Sequence, residues 1–372
     1  MKSSVRAVRL VAVLGLACAG GLRAQSTSYP GSGNGRMYLG TFDKDVYVLS
    51  EATGRVVDKI PLRTGIPRSI TLNHDKTRFY VLNVDRERVE VVDIASKKTL
   101  DVFTMSEGNE KVRIWSFEVS PDETKAIFVI RRYRRLADHW DVGDLELVLY
   151  DLKAHEIART LPWPGGEEEF FPSLFFSPDG RWLYYAGDEI KVFDAKTFEE
   201  LDQWDYGRTL DEGMGVLHFR FSGSPYDPDG SYTNLFRTTD PATGRDLMGI
   251  ARVDLADRRL VSFAVTGPAS GLRFTLGPHG RGYGLHNEVG DYQLWTFDLE
   301  SGRVTNRTSI QGRPRMRLEA SSNGKYLYVW QAGNTIDLLN PKTGEYVHTI
   351  QLDADGTTGL VVIPAGRSGT SR

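Results

Sequence analysis

Six ionisable side chains stand at fixed distances from a recurring turn motif, and their chemistry suits the binding of a polar or anionic ligand. Three are arginines, whose planar guanidinium groups bind carboxylates and phosphates through paired hydrogen bonds. Two are glutamates and one is a histidine, and both residue types serve as general acids and bases. The six residues are His218, Arg220, Arg273, Arg317, Glu118 and Glu319.

The turn motif that sets these distances is rich in Pro, Asp and Gly and separates two apolar segments. Its clearest copies begin at Ser120 and Ser177, and degenerate copies begin at Asn73, Gly277 and Ser321. Such residues favour tight turns between strands. Because strand side chains alternate between two faces, we expect the ionisable set to line a channel and the intervening apolar set to pack between sheets. The apolar set is Ile70, Phe117, Leu174, Phe219, Phe274, Leu318 and Leu360.

A second landmark repeats in phase with the turns, namely an apolar segment that ends in an acidic or small polar residue. It occurs seven times, and four of its six spacings are about 43 residues. This matches the ~40–45-residue period of four-stranded propeller blades, and apolar residues alternate with period two. We therefore predict an all-β, seven-bladed β-propeller of four-stranded antiparallel blades, with a solenoid of β-repeats as the alternative. The segments end at Ser50, Asp93, Asp151, Asp194, Asp254, Asp298 and Asn340.

The two ends of the repeat region predict how the ring closes. The segment Gly359-Leu-Val-Val-Ile matches the strand that precedes the turn in other blades, and no such strand precedes Arg36. We expect the C-terminal strand to become the innermost strand of the blade that the N-terminal part begins. Such a closure leaves no free sheet edge along the ring.

Composition narrows the classes of function. A chain of 372 residues with 40% hydrophobic content has enough apolar material for a large core, and a net charge of -3 argues against a dedicated nucleic-acid binder. The single cysteine, Cys18, excludes a disulfide framework, a thiolate zinc site, an iron–sulfur cluster and a CxxCH haem site. The common hydrolase, metalloprotease and nucleotide-binding motifs are absent. We expect no catalytic residue, metal site or cofactor in this chain.

The first residues predict an export signal. Basic residues up to Arg9 precede a short apolar run from Leu10 to Ala19, and Ala24 ends the segment. This run is shorter than the ~20 residues that span a bilayer, and no later segment approaches that length. We expect a periplasmic or secreted protein without a transmembrane segment. The sequence Leu-Ala-Cys18 leaves lipid anchoring at Cys18 as the alternative.

These observations divide the chain into four parts. The predicted parts are a signal peptide at residues 1–24, a flexible leader at 25–35, the propeller at 36–366 and a disordered tail at 367–372.

An insertion in the third repeat concentrates arginine and aromatic residues. Long loops on a rigid scaffold often carry binding, and both residue types are enriched at protein interfaces. We expect a partner-docking edge here, with a solvated charged loop as the alternative. Export and the net negative charge make nucleic acid a poor fit. The docking candidates are Arg131, Arg132, Tyr133, Arg134, Arg135, His139 and Trp140.

The ionisable channel residues themselves have two interpretations. In the functional one they form a pocket for an anionic or polar ligand, or for a loop of a partner. In the structural one the arginines and glutamates pair across the channel, and water fills the gaps. His218 is weak as a catalytic base because no neighbour in the sequence would fix its tautomer.

The repeats resemble those of the YVTN family of bacterial propellers, notably in Ser177-Pro-Asp-Gly-Arg-Trp-Leu-Tyr-Tyr and Ile190-Lys-Val-Phe-Asp-Ala-Lys-Thr. Within that group the layout is most similar to the quinohemoprotein amine dehydrogenase β subunit and the methylamine dehydrogenase heavy chain. The shared features are an exported chain, a long third repeat, an enlarged fifth repeat and a closing C-terminal strand. The resemblance implies a cofactor-free propeller that docks a quinone-bearing subunit and, in some members, a dihaem cytochrome subunit.

Three functions follow as alternatives. The first is an exported, non-catalytic subunit that docks a partner, in the manner of an amine dehydrogenase β subunit. The second is a general envelope scaffold or ligand-binding propeller. The third is a lactonase-like single-chain hydrolase that uses His218 and Arg220 with Glu118 or Glu319 at the channel mouth.

Overall fold

The computed structural model describes residues 28–187, 189–204, 218–219, 223–228, 230–255, 257–268 and 271–366. Within these residues the chain forms β-strands and no helix, which confirms the all-β prediction. The predicted signal peptide and the predicted tail lie outside the described residues. The strands form six sheets, here named A to F.

Five of the sheets contain four strands each, and the strands of each sheet are consecutive along the chain. Neighbouring strands pair antiparallel. Sheet B contains β4 (Pro67–Leu72), β5 (Arg78–Asn83), β6 (Arg88–Asp93) and β7 (Lys98–Thr104). Sheet C contains β8 (Glu110–Val119), β9 (Lys125–Arg135), β10 (Trp140–Asp151) and β11 (Glu156–Leu161). Sheet D contains β12 (Leu174–Phe176), β13 (Trp182–Ala186), β14 (Ile190–Asp194) and β15 (Glu200–Trp204). Sheet E contains β16 (His218–Phe219), β17 (Ser231–Thr239), β18 (Asp246–Asp254) and β19 (Arg259–Pro268). Sheet F contains β20 (Arg273–Gly277), β21 (Arg281–Glu288), β22 (Asp291–Asp298) and β23 (Arg303–Ser309).

Sheet A is larger, because it joins strands from both ends of the described chain. Its long strand β27 pairs with β26 in its first part and with β1 in its second part. In the second part, Leu360 lies opposite Leu39 and Ile363 opposite Arg36. In spatial order the strands are β24 (Arg317–Ala320), β25 (Leu327–Trp330), β26 (Gly333–Leu339), β27 (Tyr346–Ile363), β1 (Arg36–Thr41), β2 (Asp45–Ser50) and β3 (Val56–Pro61).

The recurring turn motif has a common hydrogen-bonding scheme. At Ser177 the hydroxyl accepts a hydrogen bond from the Trp182 N–H at 2.9 Å and donates one to Asp179 at 2.6 Å. The Ser177 carbonyl accepts from the Gly180 N–H at 2.8 Å. Gly180 has a φ of 70°, in the left-handed region that glycine adopts without strain. The same serine contacts recur at Ser120 and Ser321. The motif therefore follows an edge strand in each of sheets C, D and A, namely β8, β12 and β24.

The core lies between sheets that are neighbours in the chain. Separate hydrophobic clusters join A to B, B to C, C to D, D to E and E to F. A further cluster joins sheet F back to sheet A, with Leu285 and Leu318 among its members. Of the intervening apolar positions, Leu174, Phe219, Leu318 and Leu360 are buried. Ile70, Phe117 and Phe274 are half-buried and pack against these clusters.

Part of the expected flexible leader is held against sheet A. Ser32 is fully buried, and its N–H donates to the Glu51 carbonyl at 2.9 Å. The Gly35 N–H donates to the Glu51 carboxylate at 2.9 Å, and the Tyr29 ring meets His348 edge-on at 5.3 Å. Residues 28–35 therefore differ from the expectation for residues 25–35, because the buried Glu51 carboxylate and carbonyl bind their N–H groups.

Candidate functional site

A cavity of about 900 Å³ lies between sheets A, E and F. It brings together three of the ionisable residues singled out in the sequence, namely Arg273, Arg317 and Glu319, because the strands that carry them, β20 and β24, both border this space. A further arginine, Arg237, lies on β17 directly opposite His218 and also lines the cavity. The sequence pattern missed Arg237, because it belongs to the second strand of its sheet and stands in no fixed relation to the turn motif.

The three arginines of the cavity are exposed to it. None of Arg237, Arg273 and Arg317 forms an ion pair with any residue that the structure describes. The pairing of channel arginines with glutamates, which the structural interpretation requires, is thus absent among these residues. An unpaired guanidinium group retains its full capacity to bind a carboxylate or phosphate.

Glu319 is the acidic group of this cavity, and it is half-buried beside Thr275. The Thr275 hydroxyl donates a hydrogen bond to its carboxylate at 2.8 Å, and the Ala320 N–H donates another at 3.2 Å. Desolvation raises the pKa of Glu319 to about 7, although both hydrogen bonds favour the charged form. The carboxyl is therefore largely uncharged in mildly acidic solution.

The other ionisable candidates lie elsewhere. Glu118 lines a second, smaller cavity of about 170 Å³, near the turn motifs, together with Asp227 and Tyr232. The side chain of His218 and the whole of Arg220 lie outside the described residues. The six residues therefore do not all share one described cavity, because Glu118 and Glu319 open into different spaces.

Burial dominates the electrostatics of the smaller cavity. Glu118 faces this internal space and is surrounded by protein, and desolvation raises its pKa to about 8. The pKa of Asp227 is raised to about 6 by desolvation, and two hydrogen bonds from Thr233, at 3.1 Å and 2.7 Å, limit the rise. Both carboxyl groups thus resist ionisation, as expected for acids removed from bulk water.

A pH-dependent stability is expected from Glu118. Its pKa in the folded protein exceeds the ordinary value of 4.5, so the folded state binds more protons than the unfolded state from about pH 4.5 to about pH 8. Stability must then fall as pH rises through this window, on the order of 1 kcal/mol per pH unit from this group. We expect Glu118→Gln to flatten the fall of Tm between mildly acidic and mildly alkaline pH. The exposed Glu300→Gln is the matched control, and equal pH profiles for the two variants would contradict the prediction.

The docking candidates lie on an arm of sheet C, formed by the parts of β8, β9 and β10 that extend beyond β11. Two of its arginines are tied within the arm. Arg132 forms ion pairs with Glu110 at 2.7 Å and Glu146 at 2.8 Å, and Arg134 pairs with Glu110 at 3.3 Å. His139 contacts Asp138 at 2.7 Å. The exposed apolar groups of the arm are Leu136, Trp140 and Val142.

At its base the arm joins a row of stacked arginine and aromatic side chains, called the stack here. The Arg86 guanidinium lies 4.1 Å from the Trp115 ring centre, and Trp115 meets Phe170 edge-on at 4.6 Å. Arg131 covers the Phe170 ring at 5.2 Å. Next to Phe170, Phe171 is 64% exposed. Sequence reasoning missed the stack, because its members come from sheets B and C and from the connection between β11 and β12.

The stack is positively charged. Desolvation lowers the pKa of Arg86, and the nearby charges of Arg68 and Arg113 lower it further. The buried N–H groups of Arg86 Nη1, Trp115 Nε1 and Arg131 Nε make no hydrogen bond to a described residue. Cations held against aromatic rings favour a partner that presents acidic groups.

The described residues contain no metal-ligand cluster and no membrane-spanning helix. No three His, Cys, Asp or Glu side chains among them come together as a metal site. None of the elements in this part of the chain is a helix of the length and apolarity that crossing a lipid bilayer requires.

Comparison with known proteins supports the fold. No protein-family model matches the sequence, and no curated protein matches it. A functionally unknown protein from Desulfotomaculum acetoxidans is similar in structure, with a TM-score of 0.53, 12% identity and coverage of 89% of this chain and 99% of that chain. Apo AztD from Citrobacter koseri is similar at a TM-score of 0.50, with 13% identity and coverage of 88% and 98% respectively. With its four-stranded antiparallel sheets, this chain has a fold of the β-propeller type.

Proposed function

We propose that this chain is an exported, seven-bladed β-propeller without catalytic activity of its own, and that it docks a protein partner through the arm and the stack. The observation that carries this proposal is the stack itself, in which Arg86 and Arg131 lie against aromatic rings and Phe170 is partly exposed. The charges of Arg68 and Arg113 lie near Arg86. Arginine and aromatic side chains dominate the binding energy of protein interfaces. The expected partner therefore presents acidic and apolar groups.

A division of sheet A at β27 supports a count of seven blades. The strands β24 to β26 with the first part of β27 form one four-stranded unit, and the second part of β27 with β1 to β3 forms another. Together with sheets B to F these units make seven. The hydrophobic clusters that lead from sheet A through B to F and back to A support a closed ring. In such a ring the stack and the arm lie on the face where the innermost strands begin.

The rigid setting of the stack favours docking over a solvated loop. Arg131 lies on Phe170, and Arg132 forms ion pairs with two glutamates, so contacts within the chain position both side chains before a partner binds. A preorganised surface loses little side-chain entropy on binding, which improves affinity. The exposed Trp140 and Phe171 supply apolar area beside these cations.

The narrower form of this proposal is a role like that of the quinohemoprotein amine dehydrogenase β subunit. It is supported by the resemblance of the repeats and by the enlarged third repeat, which supplies the arm. In this form the partner is a small subunit that bears a quinone, accompanied in some complexes by a dihaem cytochrome. This chain would then supply a wall of the subunit junction and no cofactor. The broader form of the proposal is that this chain is a general scaffold of the cell envelope.

The test is recovery of the tagged full-length protein from its own cells grown on amines. We expect a stoichiometric partner, and we expect Trp140→Ser and Phe171→Ser each to weaken its binding at least tenfold, as for interface hot spots worth about 2 kcal/mol. Leu201→Ser removes an equally exposed apolar side chain from the outer strand β15 and serves as the control. Quinone staining and the visible spectrum of the partner decide between the two forms.

Three results are informative. A quinone- or haem-bearing partner lost in the arm variants supports the amine dehydrogenase form. A partner without these groups, lost in the same variants, supports the scaffold form. Recovery of the propeller alone, or equal retention of the partner by Trp140→Ser and Leu201→Ser, would overturn the docking proposal.

A further inference from the structure

The 900 Å³ cavity between sheets A, E and F is separate from the docking surface, and its chemistry points to a small ligand. We propose that it binds an organic anion that combines a carboxylate or phosphate group with an apolar body. The inference rests on the arrangement of the cavity wall and is independent of the proposed docking of a partner.

The charged side chains that line the cavity favour a negatively charged ligand. Arg237, Arg273 and Arg317 come from three different strands and meet at one space without a carboxylate paired to any of them among the described residues. Three cations in one cavity repel each other, and a bound anion would remove that repulsion and accept their hydrogen bonds. Surface arginines that serve only solubility would instead be interspersed with acids.

The rest of the wall selects an apolar body. Leu235, Leu272 and Phe274 line the cavity and are only half-buried, so they leave apolar surface exposed to it. Ligand sites of this size, roughly 300–1,000 Å³, are mostly apolar with a few convergent polar groups that orient the ligand. A fully hydrated inorganic ion would gain nothing from such a wall.

Two other features keep the space open to an anion. Gly359 lines the cavity, and a β-carbon at this position would lie 4.0 Å from the nearest Arg317 guanidinium nitrogen, so the glycine leaves the space beside this cation open. Glu319 is the described acid of the cavity, and its Thr275 contact holds it against the wall. Because desolvation raises its pKa to about 7, it repels an anion little in mildly acidic solution.

Isothermal titration calorimetry of the full chain in mildly acidic buffer tests the inference with matched probes. The anionic probes are phenylacetate and phenyl phosphate, which distinguish a carboxylate from a phosphate source. The neutral isostere is 2-phenylethanol, the cationic one is phenethylamine, and inorganic phosphate lacks the apolar body. We expect at least one of the two aromatic anions to bind more tightly than the other three probes.

Substitutions then locate the site. Arg273→Gln and Arg317→Gln are expected to weaken binding of the preferred anion at least tenfold each, the loss typical of a charge-assisted hydrogen bond. Arg303→Gln, on the exposed edge strand β23, is the matched control and should leave the affinity unchanged. All three replaced side chains are exposed, and circular dichroism checks that each variant is folded.

Absence of binding by both aromatic anions at millimolar concentration would overturn the inference. Tighter binding of phenethylamine or 2-phenylethanol would overturn it too, because the arginines would then not select the ligand. An equal loss of affinity in Arg303→Gln and Arg317→Gln would show that net charge alone, and not this cavity, attracts the anion.

Discussion

A chain that ends at Asp355 is expected to lose cooperative folding, whereas a chain that ends at Ala365 is expected to keep the full Tm. The shorter chain lacks the second part of β27, which pairs with β1 and buries Leu360 and Val362 against Met37. Each buried apolar side chain contributes about 2 kcal/mol, and each lost strand hydrogen bond costs about 1 kcal/mol. The total approaches the ~5–15 kcal/mol by which a domain is stable.

Thermal unfolding followed by circular dichroism measures this effect, and limited proteolysis supports it. If the truncated chain is not recovered, Leu360→Asp in the full chain provides the second measurement. This substitution places a charge at a buried position of the same strand. We expect the full-length variant to be expressed and to have a much lower Tm than the unsubstituted protein. Similar Tm values for the two truncated chains would show that pairing between β27 and β1 contributes little, and the proposed ring closure would fail with it.

The second large effect is expected for Glu51→Ala. Glu51 is fully buried, and its carboxylate accepts hydrogen bonds from the N–H groups of Gly35 and Ser322 and from the Tyr328 hydroxyl, each at 2.9 Å. These donors belong to the segment before β1 and to the region of β24 and β25, so one side chain joins the two halves of sheet A. Removing it leaves the N–H groups of Gly35 and Ser322 without an acceptor, at about 1–3 kcal/mol each, whereas the Tyr328 hydroxyl keeps the Ser32 hydroxyl as a partner at 2.5 Å.

We expect a loss of about 4 kcal/mol and a Tm lower by about 5 °C or more, measured by differential scanning calorimetry. Glu51→Gln keeps a carbonyl oxygen for the Tyr328 and Ser322 donors but turns an N–H group toward the Gly35 N–H. The stability lost in this variant should therefore be smaller than in Glu51→Ala. Glu300→Ala, on an exposed turn, should leave the Tm unchanged. A Tm for Glu51→Ala equal to that of Glu300→Ala would contradict the proposed bracing of sheet A.

Much of the architecture could be predicted because its determinants are local. The turns at Ser120 and Ser177 are made by side chains that bond to their own neighbours, two to five residues along the chain. Alternation along β24 likewise buries Leu318 and turns Arg317 and Glu319 the other way. The pairing of the C-terminal segment with β1 followed from a missing strand, which is also visible in a single sequence.

The candidate sites could be predicted only in part, because they depend on how sheets face one another. The spacing from the turn motif grouped Arg273, Arg317 and Glu319, which line one cavity, but it also grouped Glu118, which lines another. The same spacing could not identify Arg237, which lies on β17 and lines the same cavity. The stack could not be predicted either, because Trp115 and Phe170 are far apart in the sequence. They come into contact only because the segment between β11 and β12 folds back against β8.

Strand order, turn chemistry and the apolar alternation were thus determined by the sequence, since each involves residues close together in the chain. Only the tertiary structure decided that Arg132 forms ion pairs with glutamates while Arg131 lies on Phe170, and that the three cavity arginines form no ion pair with a described carboxylate. It also decided that Glu51 would tie the N-terminal segment to sheet A. These outcomes depend on distances between separate sheets, and such distances are set by the packing of the whole core rather than by any local pattern.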